Sequence, residues 1–363
     1  MRLFHYFARF TLLVGLLLIW WGAAVTTEDV GLAVPDWPLC FGKVNPDGWY
    51  HVPALLLEHG HRWIATTLGF LVLAMYFWQF AKCKPSFLEA AGIILVGVGY
   101  LYLVFQMALL PALIIVLMAT AWLILTWVAR KWELLRGLTT LALFVVILQA
   151  SLGGLRVLKM SDPYGITHGT LGQLFFCLLV FIAFASSRTW SEGKIAWPSL
   201  TNKSVRLWTT LMFFAVFGQL IIGASLRHTQ RLHLAASDLL TTKGLFLPPL
   251  SPADVFVLHL HKYWGFSVAL LVLFVALKSR HWIGQVPRLR WVAPALMIMP
   301  VNQVVLGVYV ILTGKSFWVT NLHVLNGLGI LVLSFLVMIS VWASTTGIGL
   351  LGQSVPDKAK ALT

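Results

Sequence analysis

The chain has 363 residues, of which 59% are hydrophobic and only 10% are charged. A soluble domain carries about 25% charged residues, so this composition excludes an ordinary globular protein and predicts a polytopic membrane protein. The formal net charge of +14 does not indicate nucleic-acid binding, because the basic residues stand in short segments between apolar runs rather than on one solvated face.

Ten apolar runs are long enough to cross a bilayer, which takes about 20 residues. They lie near residues 10–26, 53–80, 87–108, 111–130, 134–155, 166–187, 207–227, 255–277, 291–312 and 319–343. The third and fourth runs meet at Pro111 and are predicted to form a hairpin. Basic residues flank this hairpin on both sides, so it must cross the membrane an even number of times.

The distribution of Lys and Arg predicts the orientation of the chain. With the N-terminus inside, the cytoplasmic loops and tails carry more than twice as many basic residues as the outer ones. The positive-inside rule therefore predicts a multi-pass protein of the cell (inner) membrane with both termini cytoplasmic. Two long loops, roughly 27–52 and 228–253, would then lie outside, and the tail 347–363 is predicted to be disordered.

Four of the apolar runs carry a histidine near their outer ends: His61, His168, His261 and His323. Polar residues inside a membrane are costly and usually mark function. A single one is explained more simply by a hydrogen bond between helices. Four at one depth on four helices instead indicate two pairs of axial haem ligands, with both sites toward the outer side.

The two halves of the chain repeat one another. Gly22 precedes His61 much as Gly223 precedes His261, and a glutamine precedes both His168 and His323. The gap from His61 to Gln149 is 88 residues, whereas the gap from His261 to Gln303 is 42. The difference matches two extra membrane crossings.

The repeat predicts an all-α protein made of two pseudo-symmetric four-helix bundles in tandem, related as parallel repeats. The first bundle spans 1–190 and includes the inserted hairpin at about 87–130. The second spans 200–346.

Two further pairs of residues stand close to His61 and His261 in the sequence. His59 and His259 lie two residues earlier, about 200° around the helix, and are expected at the outer surface or behind the ligands. Arg62 and Lys262 follow the ligands and are predicted to pair with haem propionates.

Glu58 has no acidic counterpart in the second half, where Leu258 stands. A carboxylate one turn before an iron ligand suits proton transfer or stabilisation of positive charge. An ion pair with Arg62 at i+4 explains the spacing equally well. If the first explanation holds, the first half is the reactive site and the second half transfers electrons.

Several motifs together resemble the haem A synthase family: Glu-x-x-His-Arg at 58–62, the loop sequence Pro-Asp-Trp-Pro-Leu-Cys at 35–40, the Gln-x-x-Leu-Gly repeats and the four histidines. The resemblance covers about 10–345, with 85–131 outside the pattern. It implies oxidation of the C8 methyl group of haem O to a formyl group by successive hydroxylations.

The same resemblance implies a site for each haem. The substrate haem O, and the product haem A, would lie between His61 and His168, and a haem b between His261 and His323. Glu58 is the residue that it implicates in the chemistry. Haem O synthase, a terminal oxidase under assembly, membrane lipid and a second copy of the chain are the expected partners.

The first loop departs from this resemblance, because many family members have a cysteine pair there and this chain has Cys40 alone. A redox disulfide is therefore not expected in the loop. Two other functions remain open: a bis-histidine b-type electron-transfer cytochrome, and a haem-binding oxidase-assembly protein without catalytic activity. The first would place histidines at both ends of its helices, and the second would not need Glu58.

Overall fold

The computed structural model of the chain describes residues 2–80, 134–188, 203–228, 238–242, 244–248, 250, 253–286 and 289–345, with isolated helical residues between 87 and 121. This part of the chain is all-helical and contains no strand beyond two isolated bridges in loops. Its eight α-helices are α1 (Arg2–Thr27), α2 (Pro53–Phe80), α3 (Leu134–Lys159), α4 (Asp162–Ala185), α5 (Lys203–His228), α6 (Ala253–Gly284), α7 (Val292–Leu312) and α8 (Phe317–Thr345).

Seven of these helices are long and apolar enough to cross a membrane, which makes the chain a multi-pass membrane protein. The eighth, α2, carries Glu58, His59, His61 and Arg62 in its first three turns. Eight of the ten predicted spans correspond to helices of the structure. The predicted hairpin at about 87–130 and the predicted disordered tail lie outside the described residues, apart from isolated helical positions in the hairpin.

The first compact unit, Met1–Ser191, contains α1 to α4. Each of these helices packs against two others, in the order α1, α2, α3, α4 and back to α1. The buried core includes Phe4, Leu68, Leu138 and Ile182, one from each helix. Because the backbone hydrogen bonds of a helix are internal, each helix contributes only side chains to this core.

The second compact unit, Glu192–Thr363, contains α5 to α8, which pack in the same cyclic order. Val272, Leu296 and Leu331 are almost completely buried within it. The contact between α5 and α8 includes a hydrogen bond from Trp342 Nε1 to Thr210 Oγ1 at 3.0 Å. Four helices per unit bring the N-terminal ends of two histidine-bearing helices together in each half.

Candidate functional site

The first histidine pair joins α2 and α4. The ring centroids of His61 and His168 are 6.4 Å apart and their planes are inclined by 78°. Each ring lies over a glycine of a neighbouring helix: a Cβ atom at Gly22 would stand 3.0 Å from Cε1 of His61, and one at Gly153 would stand 3.2 Å from Cε1 of His168. The two glycines therefore make room for the imidazoles.

The second pair repeats this arrangement on α6 and α8. The ring centroids of His261 and His323 are 6.5 Å apart, with an interplanar angle of 60°. A Cβ atom at Gly223 would stand 3.1 Å from Cε1 of His261, and one at Gly307 would stand 3.3 Å from Cε1 of His323. Within each unit, the structure therefore brings together the two histidines that the sequence pairs.

Both separations suit one iron between two imidazoles. With about 2 Å for each metal–nitrogen bond and about 1 Å from each nitrogen to its ring centre, two axial imidazoles would have centroids roughly 6 Å apart. In addition, Nδ1 of His61 and Nδ1 of His323 are buried and have no hydrogen-bond partner among the described residues. The residues present therefore fit a haem in each half.

Three of the four histidines each contact a glutamine. In each case the glutamine lies one turn before the glycine that faces the histidine. The amide nitrogen of Gln219 lies 3.0 Å from Nδ1 of His261 and donates to the main-chain oxygen of His261 at 3.0 Å. Gln303 makes a similar pair of contacts to His323, but to the other ring nitrogen: its amide nitrogen lies 3.1 Å from Nε2 and donates to the main-chain oxygen of His323 at 3.0 Å.

Gln149 completes this set in the first unit. With its amide nitrogen toward His168, it donates to Nδ1 at 2.9 Å and to the main-chain oxygen at 3.1 Å, and its amide oxygen accepts from the Gly172 N–H at 2.8 Å. The sequence reasoning treated Gln149 and Gln303 only as repeat markers and missed Gln219. The spacing Gln-x-x-x-Gly was the signal that identifies all three.

Glu58 is only 5% exposed, and its partner is Arg62. Nη2 and Nε of Arg62 donate to Oε1 of Glu58 at 3.1 and 3.2 Å. The i,i+4 ion pair is thus present, and it is buried rather than exposed. The guanidinium of Arg156, close to Gly31, also acts electrostatically on Glu58, whereas Leu258 makes this position apolar in the second half.

Arg62 also binds the loop between α1 and α2. Its Nη1 atom donates to the main-chain oxygens of Asp36 and Leu39, both at 2.8 Å. In the second unit, Nζ of Lys262 donates to the main-chain oxygens of Asp238 at 2.6 Å and Thr241 at 2.9 Å. Both cations therefore tie the preceding loop to the first turns of a helix, while their pairing with propionates stays a prediction.

The two loop segments share one turn that the sequence reasoning overlooked. The Asp36 carboxylate accepts from the N–H groups of Phe41 and Gly42 at 2.8 and 2.7 Å, and the Asp238 carboxylate accepts from the Gly244 N–H at 2.7 Å. Both glycines have φ near +75°, a left-handed conformation that favours glycine. The signal was an aspartate six residues before a glycine in each loop.

These hydrogen bonds set the charge state of Asp36. Partial burial by itself would raise the pKa of this carboxyl group. The Gly42 and Phe41 N–H groups and the nearby Arg62 charge outweigh that effect and hold the pKa below its ordinary value of 3.8. Asp36 is therefore an anion at neutral pH and keeps the turn closed.

His59 and His259 are buried, at 4% and 8% exposure, rather than at the outer surface. Nε1 of Trp63 donates to Nε2 of His59 at 3.0 Å, and the ring of Trp49 lies 4.8 Å from that of His59. The His259 ring lies 4.4 Å from that of Tyr263. Each packs among aromatic rings behind the ligand histidine.

Cys40 is a free thiol that is 1% exposed. Burial raises the pKa of this thiol above its ordinary value, so it stays protonated. The absence of a redox disulfide in this loop stays a prediction.

Comparison with protein families gives a match to COX15-CtaA, described as cytochrome oxidase assembly protein, over residues 106–337. This range is well over half of the chain and includes His168, His261 and His323. It begins after Glu58 and His61, and it starts inside 85–131, the segment expected to lie outside the pattern.

Several relatives are named Heme A synthase. The protein from Halalkalibacterium halodurans is 24% identical over 316 residues, which cover 84% of this chain and 85% of the relative. The one from Shouchella clausii is 25% identical over 307 residues, or 82% and 83% of the two chains. The one from Symbiobacterium thermophilum is 40% identical over 74 residues, or 20% of this chain and 23% of the relative.

Proposed function

The chain belongs to the COX15-CtaA family of cytochrome oxidase assembly proteins, and we propose that it is a membrane oxidoreductase that converts haem O to haem A. The reaction oxidises the C8 methyl group to a formyl group by successive hydroxylations. The observation that carries this proposal is a difference between two otherwise matching histidine pairs: only the pair in the first unit has a buried carboxylate, Glu58, one turn from a ligand.

The proposed architecture is a tandem of two pseudo-symmetric four-helix bundles with an inserted hairpin, ten helices in all. The cyclic packing of four helices in each unit supports this proposal. So do the four glycine–histidine contacts, which follow the same order in both halves. The positive-inside rule places both termini in the cytoplasm and both histidine pairs toward the outer side of the cell membrane.

His61 and His168 would hold the substrate from its two faces. The substrate's iron would take part in electron transfer. In net terms R–CH3 and water give R–CHO, four protons and four electrons, so the electrons would pass to an oxidant outside this chain, while the side chains of this site would position the methyl group and accept protons. The two hydrogen bonds that Arg62 donates to Glu58 both go to Oε1. Oε2 is therefore left to accept protons released as the methyl carbon is oxidised. Arg62 also keeps this buried carboxylate in one orientation.

His261 and His323 would hold a haem b, which supplies one-electron transfer when it is bound. Gln219 and Gln303 orient these two imidazoles. Position 258 is Leu258, so the second half has no carboxylate at the position equivalent to Glu58. Haem O as substrate makes haem O synthase the expected supplier, and a terminal oxidase the expected recipient of the product.

The first experiment is extraction of haem from the purified protein, with identification by reverse-phase chromatography and mass spectrometry. We expect haem b together with haem O, a hydroxylated intermediate or haem A. Haem b alone, at about two per chain, would favour an electron-transfer cytochrome and overturn the proposal. Absence of any haem would show that the histidine pairs have another role.

The second experiment tests Glu58 with the variant Glu58→Gln, which keeps the size of the side chain and removes its charge. We expect about a 10²- to 10⁴-fold loss of formyl product, the range typical of a lost acid–base group, with haem content unchanged. The matched control is Leu258→Gln, the same final residue at the equivalent position, which should leave turnover within a few-fold. Equal turnover in Glu58→Gln and the native protein would leave a non-catalytic assembly protein as the explanation.

A further inference from the structure

His61 is the one histidine of the four without a glutamine partner. Leu18 occupies the equivalent position on α1, one turn before Gly22, and packs against the hydrophobic core of the first unit. Nδ1 of His61 is buried and has no hydrogen-bond partner among the described residues. The three other positions, at Gln149, Gln219 and Gln303, hold amides that contact the ring and the main chain of their histidine.

The residue one turn after each histidine shows the same three-to-one difference. Each histidine with a glutamine partner is followed one turn later by a glycine, at Gly172, Gly265 and Gly327, whereas His61 is followed by Ala65. Two of these glycines make room for the amides, because a Cβ atom at Gly265 would stand 2.6 Å from Nε2 of Gln219 and one at Gly327 would stand 3.3 Å from Nε2 of Gln303, whereas one at Gly172 would stand 3.9 Å from the nearest amide atom of Gln149. At His61, Leu18 and Ala65 therefore stand where the other three histidines have a glutamine and a glycine.

Without an amide partner, the His61 imidazole has fewer restraints on its rotation. In the three complete positions, one amide is bound at the same time to a ring nitrogen and to the main-chain oxygen of that histidine. Two such bonds restrain rotation of the imidazole about its Cβ–Cγ bond. A partner that accepts the other ring N–H orients a metal-binding histidine, and its loss typically costs 10- to 100-fold in metal affinity. A glutamine fills this role when its amide oxygen faces the ring nitrogen. Among the described residues, Nδ1 of His61 has no hydrogen-bond partner, and its ring packs against Gly22 and the His168 ring.

We propose that His61 is the exchangeable ligand of the first site: its haem enters and leaves by making and breaking the bond on the His61 side. This inference rests on the proposed function, since a substrate and product must exchange whereas an electron-transfer haem must stay. The asymmetry occurs in the half that also carries Glu58. The second half, with glutamines on both histidines, retains its haem.

The test is haem transfer from the purified full-length protein in detergent to excess apomyoglobin, followed by absorbance, with the released haem identified by mass spectrometry. Leu18→Gln combined with Ala65→Gly supplies both the amide and the space, and Ala65→Gly alone is its control. We expect two phases in the native protein, with the faster one slowed at least 10-fold in the double variant and unchanged within 2-fold in the control.

The reciprocal pair removes an existing partner. Gln219→Leu combined with Gly265→Ala should accelerate the slower phase about 10-fold, so that the inference is tested even if the other double variant does not fold. An unchanged fast phase in a folded Leu18→Gln/Ala65→Gly protein, or an unchanged slow phase in the reciprocal variant, would overturn the inference. If the protein yields only haem b, the proposed function fails, yet the ratio of the two release rates still decides the role of His61.

Discussion

The two histidine pairs have nearly the same ring separation and differ in the residues around them. The centroid separations differ by only 0.1 Å, at 6.4 and 6.5 Å. In contrast, Glu58 and Leu18 of the first half are replaced by Leu258 and Gln219 in the second. The comparison shows that both pairs of imidazoles pack over glycines, while the side chains beside them differ; under the proposed function, these side chains distinguish a reacting site from a retaining one.

Arg62 and Lys262, the two cations that bind loops, should differ most in how much each adds to the free energy of unfolding. Arg62→Ala should lower the free energy of unfolding by about 3–5 kcal/mol, because it leaves the buried Glu58 carboxylate without its partner. Lys262→Ala removes two hydrogen bonds from a charged group but strands no carboxylate, so its cost should be about 1.5–3 kcal/mol. Thermal unfolding in detergent measures both.

The double variant Arg62→Ala/Glu58→Gln separates the two contributions. It should recover part of the loss, because a neutral amide is cheaper to bury than an unpaired charge. Equal destabilisation by Arg62→Ala and Lys262→Ala would contradict the comparison and show that loop binding alone accounts for both effects.

A smaller difference is expected where the first loop packs on α3. Trp37 lies against Gly154 so closely that a Cβ atom there would stand 2.6 Å from Cδ2 of the indole. Val308 and Leu239 occupy the equivalent positions in the second half. Gly154→Val should displace the indole and cost about 1–3 kcal/mol by overpacking.

The protease sensitivity of the first loop provides a local measurement of the same change. Gly154→Val should expose that loop to cleavage, and Gly69→Ala is the control, since a Cβ atom at Gly69 meets no atom within 4 Å. Unchanged cleavage in Gly154→Val would show that Trp37 moves without opening the loop.

The pH dependence of the first turn should be weaker still. Because the folded-state pKa of Asp36 is lowered, the carboxylate stabilises the fold fully above its ordinary pKa of 3.8 and loses that contribution as the pH falls through the lower folded-state value. Asp36→Asn should cost about 1 kcal/mol at pH 7. Its difference from the native protein should shrink below about pH 4, as measured by unfolding temperature. A difference that grows on acidification would contradict this assignment.

The smallest effect is expected at Cys40. Cys40→Ala removes one buried sulfur atom and should cost under about 1 kcal/mol, comparable to a buried methylene. Turnover and haem content should stay within 2-fold, and the native thiol should react slowly with iodoacetamide, because burial raises its pKa. A loss of turnover beyond 10-fold would show that the lone thiol has a chemical role in the first half.

Local patterns in the sequence were sufficient for the helices and the ligand pairs. Runs of apolar residues predicted eight of the helices, because a span must satisfy its own backbone in lipid. The duplicated spacing from Gly22 to His61 and from Gly223 to His261 identified equivalent histidines in the two halves, and their role as ligands stays a prediction. The i+4 spacing of Glu58 and Arg62 allowed an ion pair without showing that it is buried.

Only the tertiary structure decided which atoms meet across the helices and the loops. Arg62 reaches the carbonyl oxygens of Asp36 and Leu39, which precede it by more than 20 residues, and no local period predicts such a contact. The partner of each glutamine likewise depends on which helices pack together. The sequence by itself determined the positions of the four histidines along their helices, and tertiary packing determined that three of them are restrained by an amide while His61 is not.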